Sequence, residues 1–267
     1  MIIAVVGANG FVGSHLCKKY LKNGDTVNAI YNSNKELIPK GCSLHTIENL
    51  PKNEIDFLFI AVGGHGLTKK QYLEHYLLID LITKNLIFSK IIFISSVEVY
   101  GKNSGVISIN SGFNNPNLYG FEKISQELLI SSYENFSIIR PTYIYGTGMK
   151  ENSLIPMWKK SAKNSDGITV YGDGNRQNDY IHIDDLIELC VLKTSSHNTT
   201  TIAASGTSFS NLDLARLISK HFSGTKIHFK GEDLSNSFRF DITHTTQTTG
   251  WTPKIQFEDG LKEYLSQ

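Results

Sequence analysis

An α/β fold, with a parallel sheet covered by helices on both faces, is predicted by three observations. Short apolar runs alternate with helical patterns over the first 140 or so residues. Glycines follow the first run at positions 7, 10 and 13. No internal repeat or low-complexity linker breaks the alternation. Such a sheet takes its ligands beyond the carboxyl ends of its strands, so residues just after each apolar run are the ones to examine.

The first run, Ile2-Ile3-Ala4-Val5-Val6, is too short to span a membrane and has no basic segment before it, so it reads as a buried strand. The glycine turn leads into SHLCKKYLKN, Ser14 to Asn23, where Leu16 lies over Tyr20 and Cys17 over Leu21 at i, i+4, with Gly24 suited to the helix end. Gly7 permits a tight turn, Gly10 leaves room for a pyrophosphate against the backbone, and Gly13 lets helix and strand pack closely. The helix N-terminus then faces the anion. Phe11 and Val12 at the helix start belong to the same candidate cofactor site. The spacing is GxxGxxG, not the commoner GxGxxG, and three glycines alone also fit a plain turn.

Further strands are expected at Thr26 to Tyr31, Ile55 to Ala61, Ile91 to Ser95 and Ser137 to Arg140. Tyr31, Asn32 and Ser33 close the second of these, and Ala61 and Val62 close the third; all five are candidate cofactor residues by position. After Pro141 the pattern loosens into glycine-rich and polar stretches, a strand-helix unit near HIDDLIELCVL and a last helix in FEDGLKEYL. The expected division is residues 1–146 with 181–204 as a dinucleotide-binding domain, and 147–180 with 205–267 as a smaller substrate-binding portion.

The 267 residues are 40% hydrophobic and 19% charged, enough for a substantial core. A net charge of +1 with no long run of like charges gives no case for nucleic acid or an anionic membrane. Cys17, Cys42 and Cys190 are scattered and odd in number, forming neither a disulfide framework nor a metal cluster, which suits a reducing cytoplasm. The nine histidines show no metal-ligand spacing, and His65 reads as an ordinary loop residue. No metal is expected.

The strand ending at Ser95 continues into SSVEVYG, and YGFEK follows with Tyr119 and Lys123 four apart on one helix face. A phenol titrates near pH 10 and is a poor proton carrier at neutrality unless a positive charge favours its ionised form. Lys123 can supply that charge, and Ser96 can bind the same substrate oxygen. Tyr and Lys four apart occur on many helices, so the pair carries weight only beside the glycine turn.

In that conjunction the chain resembles the extended short-chain dehydrogenase/reductases that act on nucleotide sugars. The resemblance runs through GANGFVG at 7 to 13, SSVEVYG, YGFEK at 119 to 123, RPTYIYG at 140 to 146, YGDGNRQNDYIHIDD at 171 to 185 and GWTPKIQFEDGLKEYL near the C-terminus. It implies a Rossmann-type sheet, with Ser96, Tyr119 and Lys123 as the catalytic set. Lys123 would also bind the nicotinamide ribose, with Pro141 near the carboxamide. A homodimer is suggested too.

Two departures matter. The family's phosphate-binding arginine precedes the Asp-aromatic pair, where this chain has Asn178; Arg176 and Arg239 are the candidates instead, with Asn152 a weaker one. The second strand also ends in Tyr31 where a carboxylate would bind the ribose of NAD, so NADP(H) is expected over NAD(H), which stays an alternative. Dehydratases of this kind carry Thr-Asp-Glu where this chain has Ser96-Val97-Glu98, and valine has no proton to give. Glu98 then reads as a hydrogen-bonding residue at the pocket wall. The expected activity is NADPH-dependent reduction of the 4-keto group of a nucleotide-linked 4-keto-6-deoxyhexose. Its alternatives are a nucleotide-sugar 4-epimerase holding NAD tightly and a non-catalytic dinucleotide sensor.

Overall fold

Runs buried on both faces read as continuous apolar segments, and in the computed structural model these become the strands of one parallel sheet. The structure describes residues 1–267 except Ser33, His65, Ser104, Ser196 and His197. In chain order the strands and helices are β1 (Ile2–Val6), α1 (Phe11–Lys22), β2 (Thr26–Ile30), β3 (Ser43–His45), β4 (Ile55–Ile60), α2 (Lys69–Asn85), β5 (Phe88–Ile94), β6 (Val106–Ile107), α3 (Leu118–Ile130), β7 (Phe136–Pro141) and β8 (Tyr143–Tyr145). Then follow α4 (Leu154–Lys163), β9 (Ile168–Tyr171), β10 (Gln177–His182), α5 (Ile183–Leu192), β11 (Thr199–Ala203), β12 (Ser208–Ser210), α6 (Asn211–His221), β13 (Ile227–Lys230), β14 (Arg239–Phe240), α7 (Thr243–Thr249) and α8 (Phe257–Ser266).

The chain divides into two compact units. The first comprises Met1–Gly101, Gly112–Pro141 and Leu186–Ile202; the second comprises Lys102–Ser111, Thr142–Asp185 and Ala203–Gln267. In the first, seven strands run in the order β11-β7-β5-β4-β1-β2-β3. β1 pairs in parallel with β2 and β4, β2 with β3, β4 with β5, and β5 with β7. This is a doubly wound α/β sheet. The chain goes outward from β1 through β2 and β3, then returns to lay β4 on the other side of β1. That reversal leaves a crevice at the carboxyl ends of β1 and β4. Beneath the sheet surface Ile30, Ile60, Phe93 and Ile138 pack with Ile79 and Ile82 of α2 and Ile130 of α3 in one buried core.

The glycine turn has the geometry its residues require. Gly7 has φ +80°, and a Cβ there would lie 2.6 Å from the Ala61 carbonyl oxygen, so β1 and β4 end in close contact. A Cβ on Gly13 would collide with the Gly7 carbonyl, whereas one on Gly10 meets the same oxygen at 3.2 Å. Gly13→Ala is therefore expected to destabilise the protein by about 1–3 kcal/mol or more, and Gly10→Ala by much less. Equal urea midpoints for the two variants would contradict this packing.

The second unit is built from short strands: β12-β10-β8, β13-β9 and β14-β6. Tyr145, Trp158, Tyr180, Leu214, Phe257 and Leu261 form its core, with Tyr180 stacked on Phe257 at 4.6 Å. The Asp179 carboxylate is buried beneath the β11–β12 connection, accepting from the backbone N–H groups of Ser205 and Gly206; burial raises it to about 6.

Candidate active site

β5 ends at Ile94, and Ser95 and Ser96 turn in different directions. The Ser95 backbone N–H donates to Ile139 of β7, and its hydroxyl donates to Glu127 of α3 in a very short bond. Ser96 instead begins a turn of 3-10 helix over Val97–Tyr100, its Oγ accepting from the Glu98 N–H at 3.2 Å.

Three glycines and an asparagine bring the serine turn to the tyrosine helix. Gly101 has φ +63°, and a Cβ there would strike the Asn114 carbonyl; a Cβ on Gly120 would strike the carbonyl of Glu98. Asn117 caps α3 by accepting from the Gly120 N–H at 2.9 Å, while its amide donates to Glu98 Oε2 at 2.8 Å. With the turn and the helix this close, the hydroxyls of Ser96 and Tyr119 hydrogen-bond. The third glycine, Gly63, lies in the loop after β4 with φ +118°; a Cβ there would lie 3.0 Å from the Lys123 ammonium nitrogen and 3.7 Å from the Tyr119 ring.

Lys123 is buried. Its ammonium donates to the carbonyl oxygens of Val62 at 2.8 Å and Ile94 at 3.1 Å, and lies 4.7 Å from the centre of the Phe93 ring. It sits 5.8 Å from the centre of the Tyr119 ring. Burial pushes it down to about 8, against the supporting charges of Glu122 and Glu127. The expectation that Lys123 draws the phenol down is corrected here. Tyr119 stands above the ordinary phenol range, first through burial and then through the Glu122 charge, with the Ser96 hydrogen bond opposing both. The ammonium is committed to two carbonyls, and two buried groups each favour their neutral forms.

The candidate cofactor residues Gly7, Gly10, Phe11, Val12, Gly13, Tyr31, Asn32, Ala61, Val62 and Pro141 all belong to this first unit; Ser33 and His65 lie outside the described residues. Gly10 caps α1 with no side-chain hydrogen bond, and the first turn carries no acidic residue, so the N–H groups of that turn meet no competing carboxylate. This suits a pyrophosphate. Tyr31 follows β2, its N–H donating to His45 of β3 at 3.0 Å, and Asn32 is exposed. No carboxylate stands at that strand end.

Glu98 is half-buried in the first unit, one oxygen taken by Asn117. The other candidates for substrate lie in the second unit. Asn178 is buried, its amide donating to Asn211 at 2.9 Å. The Arg176 guanidinium donates to the Asn236 carbonyl at 3.0 Å and the Tyr143 hydroxyl at 3.1 Å, with Asp233 at 3.8 Å. Arg239 is exposed on β14, and Asn152 is exposed just before α4. Among the described residues no His, Cys, Asp and Glu group is placed to hold a metal, and no helix is long and apolar enough to cross a membrane.

Sequence reasoning missed Gly63, Tyr72, His75 and Glu122. The Tyr72 ring lies 6.4 Å from that of Tyr119, and His75 Nδ1 is 2.9 Å from Glu122 Oε1. Glu122 was visible inside YGFEK, but the α2 residues it meets are far away in the chain.

Comparison with known proteins places these features in a group. The model of the NAD dependent epimerase/dehydratase family matches residues 3–202. An uncharacterised Schizosaccharomyces pombe protein is 29% identical over 219 residues, taking in 66% of this chain and 60% of that one. A dTDP-D-glucose 4,6-dehydratase of Dictyostelium discoideum is 30% identical over 268 residues, covering 81% of this chain and 61% of that one. The chain thus spans about three fifths of the length of these two relatives. A crystal structure of UDP-glucuronic acid 4-epimerase from Bacillus cereus with NAD superposes with a TM-score of 0.86 at 23% identity, over 100% of this chain and 99% of that one. At that identity the likeness speaks for the fold alone.

Proposed function

The chain belongs to the NAD-dependent epimerase/dehydratase family, and from that premise we propose that it reduces the 4-keto group of a nucleotide-linked 4-keto-6-deoxyhexose with NADPH. The observation that carries the reading is the end of β2, where Tyr31 and Asn32 stand in place of a ribose-binding carboxylate. A carboxylate there would repel the 2′-phosphate of NADP; an amide and Lys35 nearby would accept it. The glycine turn and the open first turn of α1 would hold the pyrophosphate, with Ala61, Val62, Lys123 and Pro141 toward the nicotinamide end. NADPH supplies the hydride. Ser96 would hold the substrate oxygen, Tyr119 would hand it a proton, and Lys123 would keep the ribose and the tyrosine in place. Arg176 or Arg239 would bind the diphosphate, so the reach of the sugar depends on them.

Val97 supports reduction over dehydration, because it is a buried hydrocarbon where a dehydratase needs an acid. A 4-epimerase retaining NAD is the second reading, supported by the family's description as NAD dependent epimerases and dehydratases. The same proposal includes a homodimer. Leu73, Leu77 and Leu81 form an exposed stripe on α2, and α3 exposes Leu118, Phe121 and Leu128, apolar surface that a second copy would cover.

The test is a panel of dTDP-, CDP-, GDP- and UDP-linked 4-keto-6-deoxy sugars with NADPH, run beside UDP-glucose and UDP-N-acetylglucosamine without added cofactor. Loss of NADPH absorbance with one keto sugar, and tighter binding of NADPH than NADH in a titration, are the expected results. Equal affinities would defeat the cofactor assignment. Interconversion of a UDP-hexose with its C4 epimer without added cofactor, all keto sugars failing, would replace the reductase with the epimerase.

A further inference from the structure

Two carboxylates are buried on α3 close to Lys123, and they are compensated differently. Glu127 is matched: Arg140 donates to its two oxygens at 2.9 and 2.7 Å, and Ser95 adds its hydroxyl. Glu122, with its side chain 1% exposed, forms no ion pair with an arginine or lysine among the described residues. Its Oε1 receives the Gln126 amide at 2.9 Å and faces His75 Nδ1 at 2.9 Å, while Oε2 is buried without a hydrogen-bond partner. A carboxylate taken out of water in this way is costly unless opposite charge lies near. Lys123, the next residue, has the mirror problem: a buried ammonium resting on two carbonyl oxygens.

We propose that Glu122 is a positioning residue for the Tyr119–Lys123 pair, the buried counter-charge that keeps the Lys123 ammonium seated on the carbonyls of Val62 and Ile94. Of the two acids that support the lysine, Glu122 is the stronger, since the charge of Glu127 is spent on Arg140. The same negative charge opposes ionisation of Tyr119, so one carboxylate holds the phenol as an acid and the ammonium as a cation. The charged and titratable groups that meet Glu122 are Tyr72 and His75 from α2 and Tyr119 and Lys123 on α3. His75 is partly open to solvent, its side chain being 26% exposed. A fixed positive charge at position 75 would cancel Glu122 from the outside.

The inference rests on the reading of Tyr119 and Lys123 as the reacting pair, but its test does not need turnover. The full chain, without substrate, is labelled at lysine side chains and titrated by NMR; the Lys123 signal is identified by its loss in Lys123→Met. The wild-type midpoint is expected near 8. Glu122→Gln keeps the shape and the acceptor Oε1, and is expected to weaken proton binding at Lys123 by about tenfold or more, with Glu122→Asp restoring most of it. His75→Lys, which changes only a half-exposed side chain, is expected to move the midpoint the same way and decides the matter if Glu122→Gln does not fold. A Lys123 midpoint unmoved in the folded Glu122→Gln protein, or in His75→Lys when that is the deciding variant, overturns the proposal. A moved midpoint in a protein that reduces no keto sugar counts against the reductase reading and leaves the counter-charge standing.

Discussion

Tyr119→Phe is expected to lower turnover by at least about a hundredfold while NADPH binding, followed by fluorescence titration, stays near wild type. The loss is of the size a positioned general acid contributes. Binding survives because the ring remains, and the glycine turn at 7 to 13 is untouched. Burial and the Glu122 charge keep the phenol above its ordinary range, so the proton is present across neutral pH and rate should fall only at alkaline pH. Ser96→Ala removes a hydroxyl that bonds Tyr119 and is expected to cost roughly a hundredfold as one oxyanion donor. Lys123→Met should harm both binding and turnover, since it also strips the carbonyls of Val62 and Ile94 of their donor. A Tyr119→Phe enzyme running at the wild-type rate would remove the assignment of the acid.

Arg140→Met is expected to destabilise the protein by about 3–5 kcal/mol in urea unfolding, the largest stability effect foreseen for a single side chain here. Arg140 binds both oxygens of Glu127 and donates to the Tyr100 hydroxyl at 2.9 Å, with its guanidinium 5.1 and 5.2 Å from the Tyr100 and Phe113 rings. Removing it strands a buried carboxylate among aromatic rings. The double variant Glu127→Leu with Arg140→Met removes both charges and should recover much of the loss. A single-variant loss under about 1 kcal/mol would mean the pair is solvated, as exposed pairs are.

The first unit was largely legible because its central strands lie under helices on both faces and so are mostly apolar. β1 was read to the residue; β2 and β4 were read one residue too long. β5 begins at Phe88, earlier than the expected Ile91, because buried Lys90 breaks the apolar run. β3 is a three-residue edge strand with no periodicity to find. In the second unit strands of two to six residues take their identity from pairing partners, as Arg239-Phe240 does from Val106-Ile107. Two helix starts were overlooked although they carry capping boxes, Thr68 with Gln71 and Ser210 with Asp213. At the site, Ser96, Tyr119 and Lys123 could be read because helix spacing and strand ends are local. Glu122 could not, because its meaning depends on His75, 47 residues away on another helix.

The interleaving of the two units has a consequence for how the chain is made. A ribosome delivers β1 through β7 well before β11, and the chain passes between units after Gly101, Ser111, Pro141, Asp185 and Ile202. Until residues 199–203 emerge, β7 is the edge of an open sheet, with the Ile138 and Arg140 backbone ready to pair with any passing strand. A nascent protein released at Pro141 would carry every residue of the Ser-Tyr-Lys set and still be prone to aggregate. Nor can either unit be moved to another protein by a single cut, since the first is made of three chain segments and the second of three.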